Sequence, residues 1–264
     1  MKILRVGGVP EHFNTPWKYA IENQLFKQVN IEIDFIEYGD GTGALCRDLS
    51  SGTLDMAIVL TEGIVKYQKQ DPSLKIISTY IESPLNWGIH VSLESNISSV
   101  KDLKEKTFAI SRFGSGSHLM VKLLAEQYGW NFSELRFLDV GGIDNLGKAL
   151  LDRKADAFLW EIFTTKPYLE KYHLRLLDNL LTPWPCFQLA ARNEIYNDKD
   201  LIKKIFDVIF PVCHKFNSDH SFALENIQQH YPLNEKDLKK WIQTVHWSDT
   251  IGITNLKPIF EFLK

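Results

Sequence analysis

Short apolar runs rich in β-branched residues alternate with helical patterns over the first 190 or so residues, and that alternation leaves few architectures open. Strands are expected at 3–8, 31–37, 56–60, 75–81, 87–92, 107–111, 135–140, 157–160 and 187–192, with helices between most of them. A helical crossover carries the chain back to start a parallel neighbour, so the expected class is α/β, with mixed, mostly parallel sheets and flanking helices. From about residue 198 the period becomes helical, over 198–216, 219–229 and 234–243. Asn217-Ser218-Asp219 and Pro232-Leu233-Asn234 supply the breaks and caps of this helical C-terminal tail.

A long-range echo divides the strand-bearing part. Ser51-Gly52-Thr53-Leu54-Asp55-Met56-Ala57-Ile58 leaves a helix, turns and enters a buried strand, and Asp152-Arg153-Lys154-Ala155-Asp156-Ala157-Phe158-Leu159 does the same about a hundred residues later. Two such segments at corresponding places suggest two similar lobes. Length agrees: 264 residues is long for one compact domain and short for two ordinary ones. With 44% hydrophobic and 24% charged residues, the chain has apolar material for real cores.

Charge and motif content then narrow the partners. A formal net charge of −3 and a pI near 6.2 give no basic footprint, which argues against nucleic acid. No run of about 18 apolar residues occurs, so no stable membrane insertion is expected. The opening Met1-Lys2-Ile3-Leu4-Arg5-Val6-Gly7-Gly8 reads as a first strand and not as a secretory signal, which predicts a cytoplasmic protein. Cys46, Cys186 and Cys213 are widely spaced and read as buried thiols. With no HExxH, no spaced Cys/His set, no P-loop and no GxSxG elbow, neither a metal nor a cofactor is expected. The partner that remains is a small-molecule ligand; a transporter or regulatory partner is left open.

In open α/β sheets ligands bind at the carboxyl ends of strands, where helix N-termini direct unpaired N–H groups outward. Three groups of turns fit that place. Gly39-Asp40-Gly41-Thr42-Gly43 lies between a strand and a helix, so Gly41, Thr42 and Gly43 are ligand candidates, or else an ordinary turn capped by Thr42. Ser111-Arg112-Phe113-Gly114-Ser115-Gly116-Ser117-His118 follows a strand and precedes a helix. Its Ser115, Gly116, Ser117 and His118 form an anion-accepting nest, with a plain helix cap as the other reading. The echo places Thr61 and Glu62 in one lobe where Trp160 and Glu161 stand in the other, and a carboxylate beside an aromatic suits an amine or ring donor. Asn14 and Trp17, after the first strand, complete the set; Trp17 is placed either to stack on a planar ligand or to pack the first helix onto the sheet.

The order of these elements resembles the type II periplasmic-binding-protein superfamily. Within it, the likeness is to the branch holding the substrate-binding proteins of nitrate, sulfonate and taurine ABC transporters and the thiamine-pyrimidine-precursor proteins. The residues that carry it are the turn ending at Trp17, Thr42-Gly43 with Ser51–Ala57, and Ser99-Val100-Lys101-Asp102-Leu103-Lys104 leading to Phe108-Ala109-Ile110-Ser111. The resemblance implies lobe one at 1–90 plus 188–264, lobe two at 91–187, and a ligand cleft between them that closes by a hinge. It implies a binding protein for a polar or anionic organic metabolite, one with a planar ring included, and no catalytic residues. The pyrimidine-precursor synthases carry a CCCFC segment, which three isolated cysteines do not supply. A cytoplasmic enzyme acting on a small carboxylated metabolite is the alternative on the same scaffold, with His12, His118 or Glu161 as acid–base groups.

Overall fold

The computed structural model describes residues 1–231 and 234–263. The chain divides into two units, residues 1–84 with 183–264, and residues 85–182. The first unit begins β1 (Lys2–Gly8), α1 (Thr15–Glu22), β2 (Ile31–Glu37), α2 (Thr42–Ser51), β3 (Met56–Leu60), α3 (Thr61–Gln68) and β4 (Lys75–Ile81). The second unit holds β5 (Asn86–Ser92), β6 (Thr107–Ile110), α4 (Gly116–Tyr128), β7 (Arg136–Asp139), α5 (Ile143–Leu151), β8 (Ala157–Glu161), α6 (Lys166–Lys171) and β9 (Leu174–Leu181). The chain then returns to the first unit as β10 (Phe187–Ala191), α7 (Asn193–Asn197), α8 (Lys199–Ser218), α9 (His220–His230), α10 (Glu235–Ile242) and α11 (Lys257–Phe262).

Each unit is an α/β layer built on a five-stranded mixed sheet, in the orders β2-β1-β3-β10-β4 and β7-β6-β8-β5-β9. Position for position the two sheets match. In the first, β1 pairs in parallel with β2 and β3, and β10 runs antiparallel between β3 and β4. In the second, β6 pairs in parallel with β7 and β8, and β5 runs antiparallel between β8 and β9. Parallel pairing is thus confined to the first three strands of each helix-linked run, β1–β3 and β6–β8. The antiparallel inner strand is, in each unit, the first one formed after the chain arrives. Strand β5, which a boundary at residue 90 would split, lies whole in the second unit because both its edges are paired there.

The cores follow the apolar pattern. In the first unit Leu4, Val6, Leu45, Leu54 and Met56–Val59 are buried, and α8 contributes Ile205, Phe206, Ile209 and Phe216. In the second, Leu146, Ala149 and Leu150 of α5 pack with Ala109, Phe158 and Leu174. All three cysteines are buried. The expected tail helices exist, and the break residues cap them: Asp219 accepts from Phe222 N–H at 3.0 Å and Asn234 from Asp237 N–H at 2.9 Å. Pro232 and Leu233 of the second break lie outside the described residues. Strand β9 was not expected. Its sequence, Leu174-Arg175-Leu176-Leu177-Asp178-Asn179-Leu180-Leu181, has no β-branched residue, and it forms at the sheet edge against β5. Among the described residues no helix is long and apolar enough to cross a membrane.

Candidate functional site

In the first unit, β1, β2 and β3 are adjacent and parallel, so the turns after them share one edge of the sheet. Close approach packs the turn after β1 on itself and joins the turn after β2 to the one after β3. A Cβ on Gly8 would come 2.6 Å from Asn14 Nδ2, and one on Gly63 would come 2.3 Å from Thr42 Cγ2, so a side chain at either would displace its neighbour. Asn14 is fully buried; its Nδ2 donates to Val9 O at 2.7 Å, and its Oδ1 has no partner among the described residues. Thr42 is not the helix cap. Gly41, with φ +71°, takes that place, and the Thr42 hydroxyl accepts from Leu60 N–H at 3.1 Å, tying α2 to the end of β3.

Thr61 and Glu62 open α3 directly at the end of β3. The Thr61 hydroxyl donates to Pro185 O and accepts from Gln188 Nε2 at 2.9 Å; Gln188 Oε1 accepts from Thr79 at 3.1 Å. Glu62 is 1% exposed, its Oε2 accepts from Trp184 Nε1 at 3.1 Å, and its Oε1 has no partner among the described residues. Burial pushes this carboxyl up to about 7, against the opposing effect of hydrogen bonds from its own backbone and Trp184. Trp17 lies in α1. It is fully buried and stacked on Phe26, in the turn between α1 and β2, at 5.5 Å. His12 is buried in an aromatic group with Phe13, Tyr231 and Trp241, and burial lowers its pKa to about 3.

In the second unit, β6 and β8 are adjacent and parallel, which brings the serine-rich turn and Trp160-Glu161 to one edge. Ser115 is the N-cap of α4, its Oγ accepting from His118 N–H at 3.4 Å; Gly116 and Ser117 are the first helical residues. Ser117 is 1% exposed, and its Oγ accepts from Ser111 N–H at 3.0 Å and lies 3.0 Å from Ser115 Oγ. His118 Nδ1 accepts from Gly114 N–H at 3.1 Å, which puts the proton of the neutral ring on Nε2. Glu161 is buried, and its Oε2 accepts from Thr164 N–H at 2.6 Å and from the Thr164 hydroxyl at 2.7 Å. Burial pushes its carboxyl up to about 7 against those bonds. Trp160, half-buried, meets Trp87 edge-on at 6.4 Å and packs on the core cluster.

Three residues of these edges escaped the sequence reading. Gln188 is a polar residue inside the otherwise apolar β10, which is a usable signal; Trp184 sits between two prolines and gave none. Phe113, 63% exposed at the tip of the serine-rich turn, has ring contacts to His118 and Phe137.

The family model described as NMT1/THI5 like matches residues 12–209. No curated protein matches the chain. Among solved structures, the chain is similar to the Candida albicans CA3427 gene product, described as exhibiting the generic periplasmic binding protein structural fold. The two share 28% identity with a TM-score of 0.89, over 100% of this chain and 89% of that one. It is also similar to the alkanesulfonate-binding protein SsuA from Xanthomonas axonopodis pv. citri bound to MOPS, at 18% identity and a TM-score of 0.76, over 94% and 86% of the two chains. A third likeness, at 16% identity and a TM-score of 0.75 over 99% and 89%, is to the periplasmic aliphatic sulphonate binding protein SsuA from Escherichia coli. These likenesses show the periplasmic binding protein fold.

Proposed function

This chain belongs to the NMT1/THI5 like family, and on that footing we propose that it is a binding protein for a small, polar organic molecule and not a catalyst. The observation that carries the reading is the first unit's strand edge, where Asn14, Thr42, Thr61 and Glu62 are buried in the turns that follow β1, β2 and β3. A row of buried polar side chains at the carboxyl edge of parallel strands is where α/β folds place ligands. The acid–base candidates give the enzyme alternative little support. His12 is held neutral by burial, and a Glu161 oxygen is already engaged by Thr164. Gly41, Gly43, Ser115, Gly116, Ser117, His118 and Trp160 remain proposed ligand contacts.

The sulfonate-binding relatives make an oxyanion-bearing ligand the first class to test, and an ABC-type transporter the first class of protein partner. The cytoplasmic expectation draws no support from them, since one is named as periplasmic. Native mass spectrometry of protein purified gently from its source tests the reading directly. A stoichiometric co-purifying small molecule is the expected result. Turnover of that molecule into a product would overturn it in favour of an enzyme.

A further inference from the structure

Glu62 is the least satisfied group on the first unit's strand edge. One oxygen has the Trp184 indole as its donor; the other, though fully shielded from solvent, has nothing among the described residues. No Lys, Arg or His is ion-paired with it there, and the adjacent Thr61 hydroxyl is spent on Pro185 and Gln188. A carboxylate buried without a counter-charge is strongly unfavourable. Its neutral form fares no better at Oε1, which would still lack a hydrogen-bond partner. A methionine would fill the volume without that burden. We infer that Glu62 is the receptor for a protonated amine or comparable cationic N–H group, and hence that the ligand is a cation or zwitterion, not a simple anion. The inference rests on the binding-protein reading and narrows it. An ammonium supplies both the missing donor and the missing charge, in a low-dielectric surround where the attraction is strong. Against the ionised carboxylate a bare sulfonate or carboxylate at this position would meet repulsion instead, and neither supplies a donor to Oε1. Because burial holds the empty carboxyl near neutrality, taking up a cation also drives off its proton.

Calorimetric titration of the full chain with 3-aminopropanesulfonate and propanesulfonate, which differ only in the ammonium, tests this. The expected result is roughly tenfold or tighter binding of the amino compound, the size of one charge-assisted hydrogen bond. Glu62→Gln should erase the preference. A second reading needs no variant: near pH 7 the binding enthalpy of the amino compound should vary with the ionisation enthalpy of the buffer, as protons are released. Equal binding of the two compounds, or a preference that survives in folded Glu62→Gln, overturns the inference and leaves the binding-protein reading standing. Failure of both compounds to bind overturns that reading for sulfonates, and this inference with it.

Discussion

Ser117 shows how one buried hydroxyl can hold a turn. It accepts from Ser111 N–H and lies within reach of the Ser111 and Ser115 hydroxyls, so Ser117→Ala leaves a part-buried N–H without its acceptor. Denaturant melts should show a loss of about 1–3 kcal/mol for that variant, and about 1 kcal/mol for Ser115→Ala, which loses a cap and the hydroxyl contact with Ser117. If either hydroxyl also donates to the ligand, affinity should fall about ten- to a hundredfold in the same variants. Unchanged affinity would make the turn purely structural. At this scale the sequence was legible where chemistry and place coincide: Thr61 and Glu62 follow β3 directly, and Ser115 and Ser117 open the helix after β6, where residue type and predicted strand both pointed. It was not legible for Trp17, since a turn position says nothing about which way a ring faces, and here Phe26 offers it a stacking partner inside. Nor could spacing alone show that Thr42 bonds to Leu60 and leaves the cap to Gly41.

At the scale of elements, the echoed segments join α2 to β3 and α5 to β8, and their aspartates do the same work. Asp55 N–H donates to Arg5 O at 2.9 Å while its Oδ2 accepts from Arg5 N–H at 2.9 Å. Asp156 N–H donates to Thr107 O and its Oδ2 accepts from Thr107 N–H, both at 2.8 Å. Each carboxylate thus extends the parallel ladder of β1 with β3, or β6 with β8, by one side-chain rung. Asp55 carries more, because Arg192 Nη2 also donates to it at 2.7 Å and Arg5 Nη2 at 3.0 Å. Burial raises the Asp55 carboxyl, but the bonds from Arg5 and Arg192 outweigh it and hold it below the usual range. A depressed folded pKa contributes stability above the unfolded value of about 4, and that stability is lost as pH falls through the folded pKa. Asp55→Asn should therefore flatten the acid limb of the stability-versus-pH curve, and a curve identical to wild type would count against this role. The echo also carries a difference: Gly52 has φ +77°, whereas its counterpart Arg153 takes φ +56° with a side chain. Arg153→Gly should raise stability by about 0.5–1 kcal/mol in a denaturant melt. The Arg153–Glu94 pair it removes is widely exposed and offsets little of that gain. The elements themselves were largely legible because β-branched runs mark buried strands. Strand β9 was hidden by leucines that favour helix locally and were overruled by pairing with β5.

For the whole molecule, the echo suggests two lobes and the family resemblance implies boundaries at 90/91 and 187/188, while the chain divides into its two units at 84/85 and 182/183. Pairing of whole strands, which a pattern of residue types does not contain, decides where a seam lies. If ligand closes the units as the family likeness implies, small-angle scattering should register a smaller radius of gyration on binding; an unchanged radius with proven binding would exclude the hinge. The second unit is one uninterrupted stretch whose ends are tied, Leu85 N–H donating to the Thr182 hydroxyl at 3.0 Å and Thr182 N–H to Leu85 O at 3.1 Å. The first unit is not continuous, and the missing piece is an inner one: β10 is the strand that separates β3 from β4. On the ribosome, then, residues 1–84 emerge early but cannot close their sheet until residue 191 has followed, by which time the second unit has had all its residues for some while. Through that interval β3 presents an unpaired, wholly apolar edge to the cell, and the nascent chain depends on the speed of synthesis or on a chaperone to keep it from a stray partner.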